Sequence, residues 1–198
     1  MPAGPDKEPS SRNASRPLGV RHIEIVPLGR VDGVAVSVVA ANLQAIGGLL
    51  ADVVPPWPEP GYAIIPARRQ YNAIPILQAL EATAPATGLR LGLMAGDLCL
   101  PIFSYVLGEA QVNGRAAVVS LYRLGESGDK KPVDSSLLYE RVAKVALHEV
   151  AHILGLHHCR EPHCLMRFSL GVEHIDELSL AFCPECKDRL RTARWEER

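Results

Sequence analysis

The segment LLYERVAKVALHEVAHILGL, residues 137–156, constrains the fold more than any other. On a helical wheel of about 100° per residue, Leu138, Val142, Val145, Ala146, Leu147, Val150, Ile153 and Leu154 cover most of the circumference. A helix that is apolar nearly all round belongs inside a protein. Its polar residues, Arg141, Lys144, His148, Glu149 and His152, fall within one arc of about 140° on the same geometry. A lone polar stripe on a buried helix must face water, a cleft or a metal. The spacing predicts this helix over residues 137–155, ended by Gly155, where a glycine permits the left-handed residue that stops a helix.

The remaining pattern supplies layers around that helix. RHIEIVPLG (21–29) alternates and is β-branched, so it reads as a strand. GVAVSVVAANLQAIGGLL (33–50) has helical spacing up to a Gly pair, and ADVVPPWPEP (51–60) is a short strand stopped by prolines. RRQYNAIPILQALEAT (68–83) reads as a helix begun or kinked by Pro75, and LRLGLMAGDLCLP (89–101) as one buried strand. Two apolar runs, 103–112 and 115–124, flank Asn113-Gly114, a hairpin signal whose turn residues are both expected at positive φ. The order β-α-β-α-β-β-β-α implies an α/β fold with a mixed sheet flanked by helices.

His148 and His152 lie one helical turn apart on one face, a spacing that suits two nitrogen ligands of one zinc ion. Glu149 lies about 100° further round, where it can reach a water held on that ion and act as general base. After Gly155 the chain can turn back and offer a third ligand. His158 has the spacing for it, with His157 as the rival.

His148, Glu149, His152, Gly155 and His158 together resemble the extended motif of the metzincin zinc peptidases. The continuation His158-Cys159, Cys164-Leu165-Met166 and Cys183-Pro184-Glu185-Cys186 is similar to the archaemetzincin branch, and YVLGEAQVNGRAAVVSLYRL (105–124) is similar to its sheet region. The likeness is tight over 148–186, looser over 21–147, and does not cover the start of the chain. It implies a metzincin-like mixed twisted sheet, a catalytic zinc on His148, His152 and His158, and Met166 as the Met-turn residue beneath those histidines.

Four of the five cysteines fall in the last forty residues, which favours one local site over a spread disulfide framework. Cys159 and Cys164 form one pair and Cys183-x-x-Cys186 another. Four thiolates make a closed, structural zinc site, and the resemblance implies the same assignment. Two disulfides, or a redox-active Cys-x-x-Cys, are the competing readings; the latter is expected at a helix start following a strand. Cys99 reads as an inert core thiol. His22, His163 and His174 receive no role.

The expectation is therefore a zinc metallopeptidase with two zinc ions, in which Glu149 activates a zinc-bound water against a peptide carbonyl. The alternative is a non-catalytic, zinc-stabilised peptide-binding module, in which Glu149 would have no use. No tyrosine follows Tyr139, so no C-terminal tyrosine can assist the oxyanion. An extended peptide is expected along the edge of Ser104–Val112. Residues 1–17 read as a disordered tail without a secretory signal, and 18–198 as one domain: 18–156 the sheet and helices, 157–198 a zinc-stabilised C-terminal part. A net charge of −1 gives no electrostatic case for nucleic acid or membrane, even though CPECKDRLRTARWEER (183–198) carries several basic residues. A cytoplasmic monomer acting on peptides or proteins is the resulting expectation.

Overall fold

A computed structural model describes residues 22–169 and 171–192. The tail expected at 1–17 lies outside the described residues. In chain order the elements are β1 (His22–Leu28), α1 (Gly33–Ala45), β2 (Leu50–Val53), β3 (Ile64–Ile65), β4 (Gln70–Asn72), α2 (Ala73–Ala82), β5 (Leu89–Met94), β6 (Leu98–Cys99), β7 (Gly108–Ala110), β8 (Ala116–Ser120), α3 (Ser135–Ile153), α4 (Val172–Asp176) and α5 (Pro184–Thr192).

The main sheet has the order β2-β1-β5-β8-β7. Its first four strands are parallel and β7 runs antiparallel to β8, so the sheet is mixed, as the element order implies. Alternation along the strands feeds two cores. Ile23, Ile25, Leu91, Leu93, Ala117 and Val119 point to one face, with Val36, Val39 and Leu43 of α1 and Val142, Val145 and Val150 of α3. Val26, Leu28, Ala116 and Val118 point to the other, with Ile76, Leu77 and Leu80 of α2. The helix read as buried is indeed buried: its faces are covered by the sheet, α1 and the C-terminal segment.

Three local readings are corrected. Residues 68–83 are not one helix. Gln70–Asn72 form β4, and the Asn72 side chain accepts a bond from the Ile74 amide (3.1 Å) to cap α2. Pro75 then falls in the first turn, where the helix needs no N–H from it. Residues 89–101 are not one strand either. The chain breaks after Met94, and β6 joins a separate small sheet of order β3-β4-β6. Asp97 marks the break: its carboxylate accepts two bonds from Arg123 (2.7 and 2.8 Å) and one from Gln70 (2.8 Å). Finally, the hairpin turn uses one positive φ, at Asn113 (58°), and is closed by the Gly114 amide donating to the Gln111 carbonyl (2.9 Å). The edge strand is accordingly only Gly108–Ala110.

Candidate active site and metal centres

The sequence ends α3 by local rules, and that ending builds the site. Asp134 caps its start, accepting from the Leu137 amide at 3.0 Å. At the other end Gly155 takes φ +89°. The Gly155 amide donates to the His152 carbonyl (2.9 Å) and the Leu156 amide to the Ala151 carbonyl (3.0 Å), the paired bonds of a Schellman motif. The Asn113 amide, at the hairpin tip, also donates to the His152 carbonyl (3.1 Å). The turn therefore sends the chain back past the helix end and brings His158 to His148 and His152.

These three histidines offer ring nitrogens that all lie within 4.8 Å of one another. His157, the sequence rival, lines the same cleft but is not one of the three. Each helical imidazole is oriented through its second nitrogen. His148 Nδ1 donates to the Leu165 carbonyl (2.7 Å) and His152 Nδ1 to the Leu156 carbonyl (2.6 Å). Carbonyl oxygens only accept, so the proton of each neutral ring sits on Nδ1 and each Nε2 carries a bare lone pair. The two Nε2 atoms are 3.0 Å apart. Facing lone pairs at that distance repel unless a cation lies between them. Tetrahedral zinc with bonds near 2.05 Å places its nitrogens about 3.3 Å apart, so the donor set fits a zinc ion. Burial, then the neighbouring His152, lowers the His148 pKa to about 3, and burial also lowers those of His152 and His158. The rings are thus neutral, as ligands must be.

Glu149 projects from α3 into a cleft of about 720 Å³ whose lining includes all three histidines and Phe103 to Ala110, β7 among them. Burial, and then the nearby Glu109, holds the Glu149 carboxyl well above the usual carboxylate range. A cation at the imidazoles would oppose that shift. Gly108 of β7 touches this carboxylate: a Cβ there would stand 2.6 Å from Glu149 Cγ and 2.9 Å from Oε1.

The sulfurs of Cys159, Cys164, Cys183 and Cys186 also gather within 4.8 Å, and all four are free thiols. Cys159 and Cys183 Sγ are 3.8 Å apart. That is far from a disulfide bond of about 2.05 Å, and equals the S···S edge of about 3.8 Å in a zinc tetrahedron with 2.3 Å bonds. Amides of Glu161, Met166 and Cys183 point at Cys159 and Cys164 sulfurs, each at 3.4 Å. Such donors favour thiolates, and the set fits zinc. Cys183 does immediately precede a helix, α5, which the redox reading required; but among the described residues no strand leads into it, and Cys159 and Cys164 complete the cluster.

The two clusters share one loop. His148 is bonded to the carbonyl of Leu165, between Cys164 and Met166, and the Met166 carbonyl accepts from the Cys159 amide (2.8 Å). Met166 is fully buried with Ala151, Leu156, Cys164 and Cys186. Sequence reasoning missed the role of the other polar residues on α3. Arg141 forms a two-pronged pair with Asp176 (2.6 and 2.7 Å) and donates to the Leu124 and Glu126 carbonyls, while Lys144 donates to the Ile175 carbonyl (3.1 Å). They tie α4 to α3. Cys99 is buried, as expected of a core thiol.

Residues 85–192 match the sequence profile of Peptidase family M54. The archaemetzincin of Archaeoglobus fulgidus is 37% identical over 169 residues, spanning 85% of this chain and 98% of that protein. Its crystal structure, complexed with malonate, superposes with a TM-score of 0.74 at 36% identity, covering 85% of this chain and 99% of that one. A zinc-dependent peptidase from Methanocorpusculum labreanum superposes with a TM-score of 0.78 at 26% identity, over 85% and 99% of the two chains. The class defined by this fold and these relatives is a zinc metallopeptidase. Within that class, the chain belongs to peptidase family M54, the archaemetzincins.

Proposed function

We propose that this chain hydrolyses peptide bonds by the metzincin mechanism, with His148, His152 and His158 holding a catalytic zinc and Glu149 serving as general base. The observation that carries the reading is the Glu149 carboxylate, buried in the same cleft as three imidazoles whose ring nitrogens gather within 4.8 Å. When bound, the zinc supplies a Lewis acid that acidifies water and polarises a carbonyl. Glu149 takes the proton of the attacking water and returns it to the amine of the departing peptide. An extended substrate adds to the free edge of β7, whose residues line the cleft.

A second, structural zinc on Cys159, Cys164, Cys183 and Cys186 fixes the loop that carries Leu165, Met166 and His158, with Met166 as the Met-turn residue. Residues 18–198 then work as one domain in the cytoplasm. Among the described residues no helix is long and apolar enough to cross a membrane.

The test is elemental analysis and peptide-library digestion of the parent and of Glu149→Gln. The expected result is two zinc ions in both proteins and hydrolysis by the parent alone. Equal turnover by the two removes Glu149 from the chemistry, and no turnover by either promotes the peptide-binding module.

A further inference from the structure

We propose that Glu109 makes the cleft select a cationic nitrogen in the substrate, a lysine or arginine side chain or a free α-amino group. The inference rests on the cleft being the peptide site. Glu109 lies at the middle of the edge strand β7, between Gly108 and Ala110, and all three residues line the cleft. Among the described residues its side chain has no hydrogen bond or ion pair: the ion pairs of the chain use Glu24, Asp52, Asp97, Asp129, Glu140, Asp176, Glu185 and Asp188.

Apart from the proposed zinc, held at the histidines with Glu149 beside it, the protein groups lining the cleft supply no free counter-charge. Lys144 is the lining cation, but its ammonium is held by Glu140 (2.7 Å) and the Ile175 carbonyl (3.1 Å). Glu149 adds negative charge, and the three clustered histidines are neutral. A half-buried carboxylate without a protein partner has lost part of its solvation. Burial raises the Glu109 carboxyl accordingly. A cation delivered by a ligand restores the balance, and an anion brought there is repelled. The cleft lining also includes the apolar Phe103, Leu107, Ala110 and Val112, so a long aliphatic stem ending in a charge matches the chemistry. Placement on β7 also fixes the register, because a peptide paired to that strand presents its groups at set positions.

The test uses one apolar peptide series carrying Lys, Arg, norleucine or Glu at each position in turn, free or acetylated at its N-terminus. Two readouts are taken: kcat/KM with the zinc-loaded full chain, and binding by fluorescence anisotropy to its Glu149→Gln variant. One position should favour Lys or Arg over norleucine on the order of tenfold, chiefly in KM and in affinity. Glu109→Gln should abolish the preference and Glu109→Lys should turn it towards Glu, both with parental zinc content. If free peptides are instead favoured over acetylated ones whatever the side chain, the cation is the α-amino group. If the Lys or Arg preference is present and survives acetylation, the cation is the side chain. A parent without charge preference, or a preference kept in Glu109→Gln, overturns the inference. Because binding is read separately, a chain that hydrolyses nothing sinks the catalytic reading and still decides this one.

Discussion

Gly108 on the edge strand β7 and Glu149 on α3 are in van der Waals contact, with room for a hydrogen and none for a methyl group. A Cβ at 108 would meet the Glu149 side chain at 2.6 to 3.0 Å. The strand proposed to bind substrate thus also sets where the proposed base can stand. Gly108→Ala should push the carboxylate aside and lower kcat on the order of a hundredfold, the usual scale for a misplacement near 1 Å. Zinc content should be unchanged, because Glu149 is not among the clustered ligands. Steady-state kinetics with elemental analysis checks this, and parental kcat in the alanine variant would show that the contact is idle.

Gly155 carries two demands at once. Its φ of +89° is one that residues with a Cβ rarely adopt, and a Cβ there would come within 2.5 Å of Asn113 Oδ1. Gly155→Ala should cost about 1–3 kcal/mol of stability. It should also weaken metal binding, since the Schellman turn delivers the Leu156 carbonyl to His152 and leads on to His158. Denaturant unfolding and a competitive zinc titration measure the two effects. Loss of stability without loss of affinity would mean the turn matters for folding only.

How much of this was legible follows from the range of the forces involved. Glycine stops and Cys-x-x-Cys patterns act over a few residues, so the C-terminal end of α3 and both candidate ligand clusters could be read from spacing. The edge position of β7 was suggested by the hairpin signal together with the family resemblance. What escaped notice depends on distant partners. Arg141 and Lys144 were visible as a polar stripe, but Asp176 and the Ile175 carbonyl lie more than thirty residues away. The break at Asp97 needs Arg123 and Gln70, neither of them near it in sequence. Gly108 carried no local signal at all, because its reason is a side chain on another element.

The metal-free protein should show opposed pH dependences from two buried groups. Burial raises Glu149 above its unfolded value near 4.5, so its contribution is fully present below that pH and is lost as pH rises. His148 is depressed from 6.5 to about 3, so its contribution is present above 6.5 and lost as pH falls towards 3. Glu149→Gln removes the first effect and keeps the second. Stripped of metal, that variant should be more stable than the parent by about 1–3 kcal/mol at pH 8 and equal to it at about pH 4. Urea unfolding across that range gives the answer. A variant no more stable than the parent at pH 8 would mean the Glu149 carboxylate is well solvated.

The two proposed ions should leave in a fixed order and with different consequences. The histidine cluster holds its ion through neutral rings, and one of its members, His158, is exposed. Protons and a modest chelator can therefore compete for it early. The cysteine cluster is closed and its sulfurs receive three backbone amides, so its ion should resist longer. Emptying it leaves four thiols in a small core built on Ala151, Leu156 and Met166, which has little else to hold it. The loop between the clusters then loosens, and with it the Leu165 carbonyl that orients His148. Cys183→Ser should lower the melting temperature and also weaken zinc binding at the histidines by about 10- to 100-fold, the scale seen when supporting contacts of a ligand are lost. His152→Ala should empty only the histidine site and leave the melt of the cysteine cluster in place. Metal counts during chelation, with calorimetry on both variants, decide the matter. If Cys183→Ser melts like the parent while His152→Ala unfolds, the structural role belongs to the histidines.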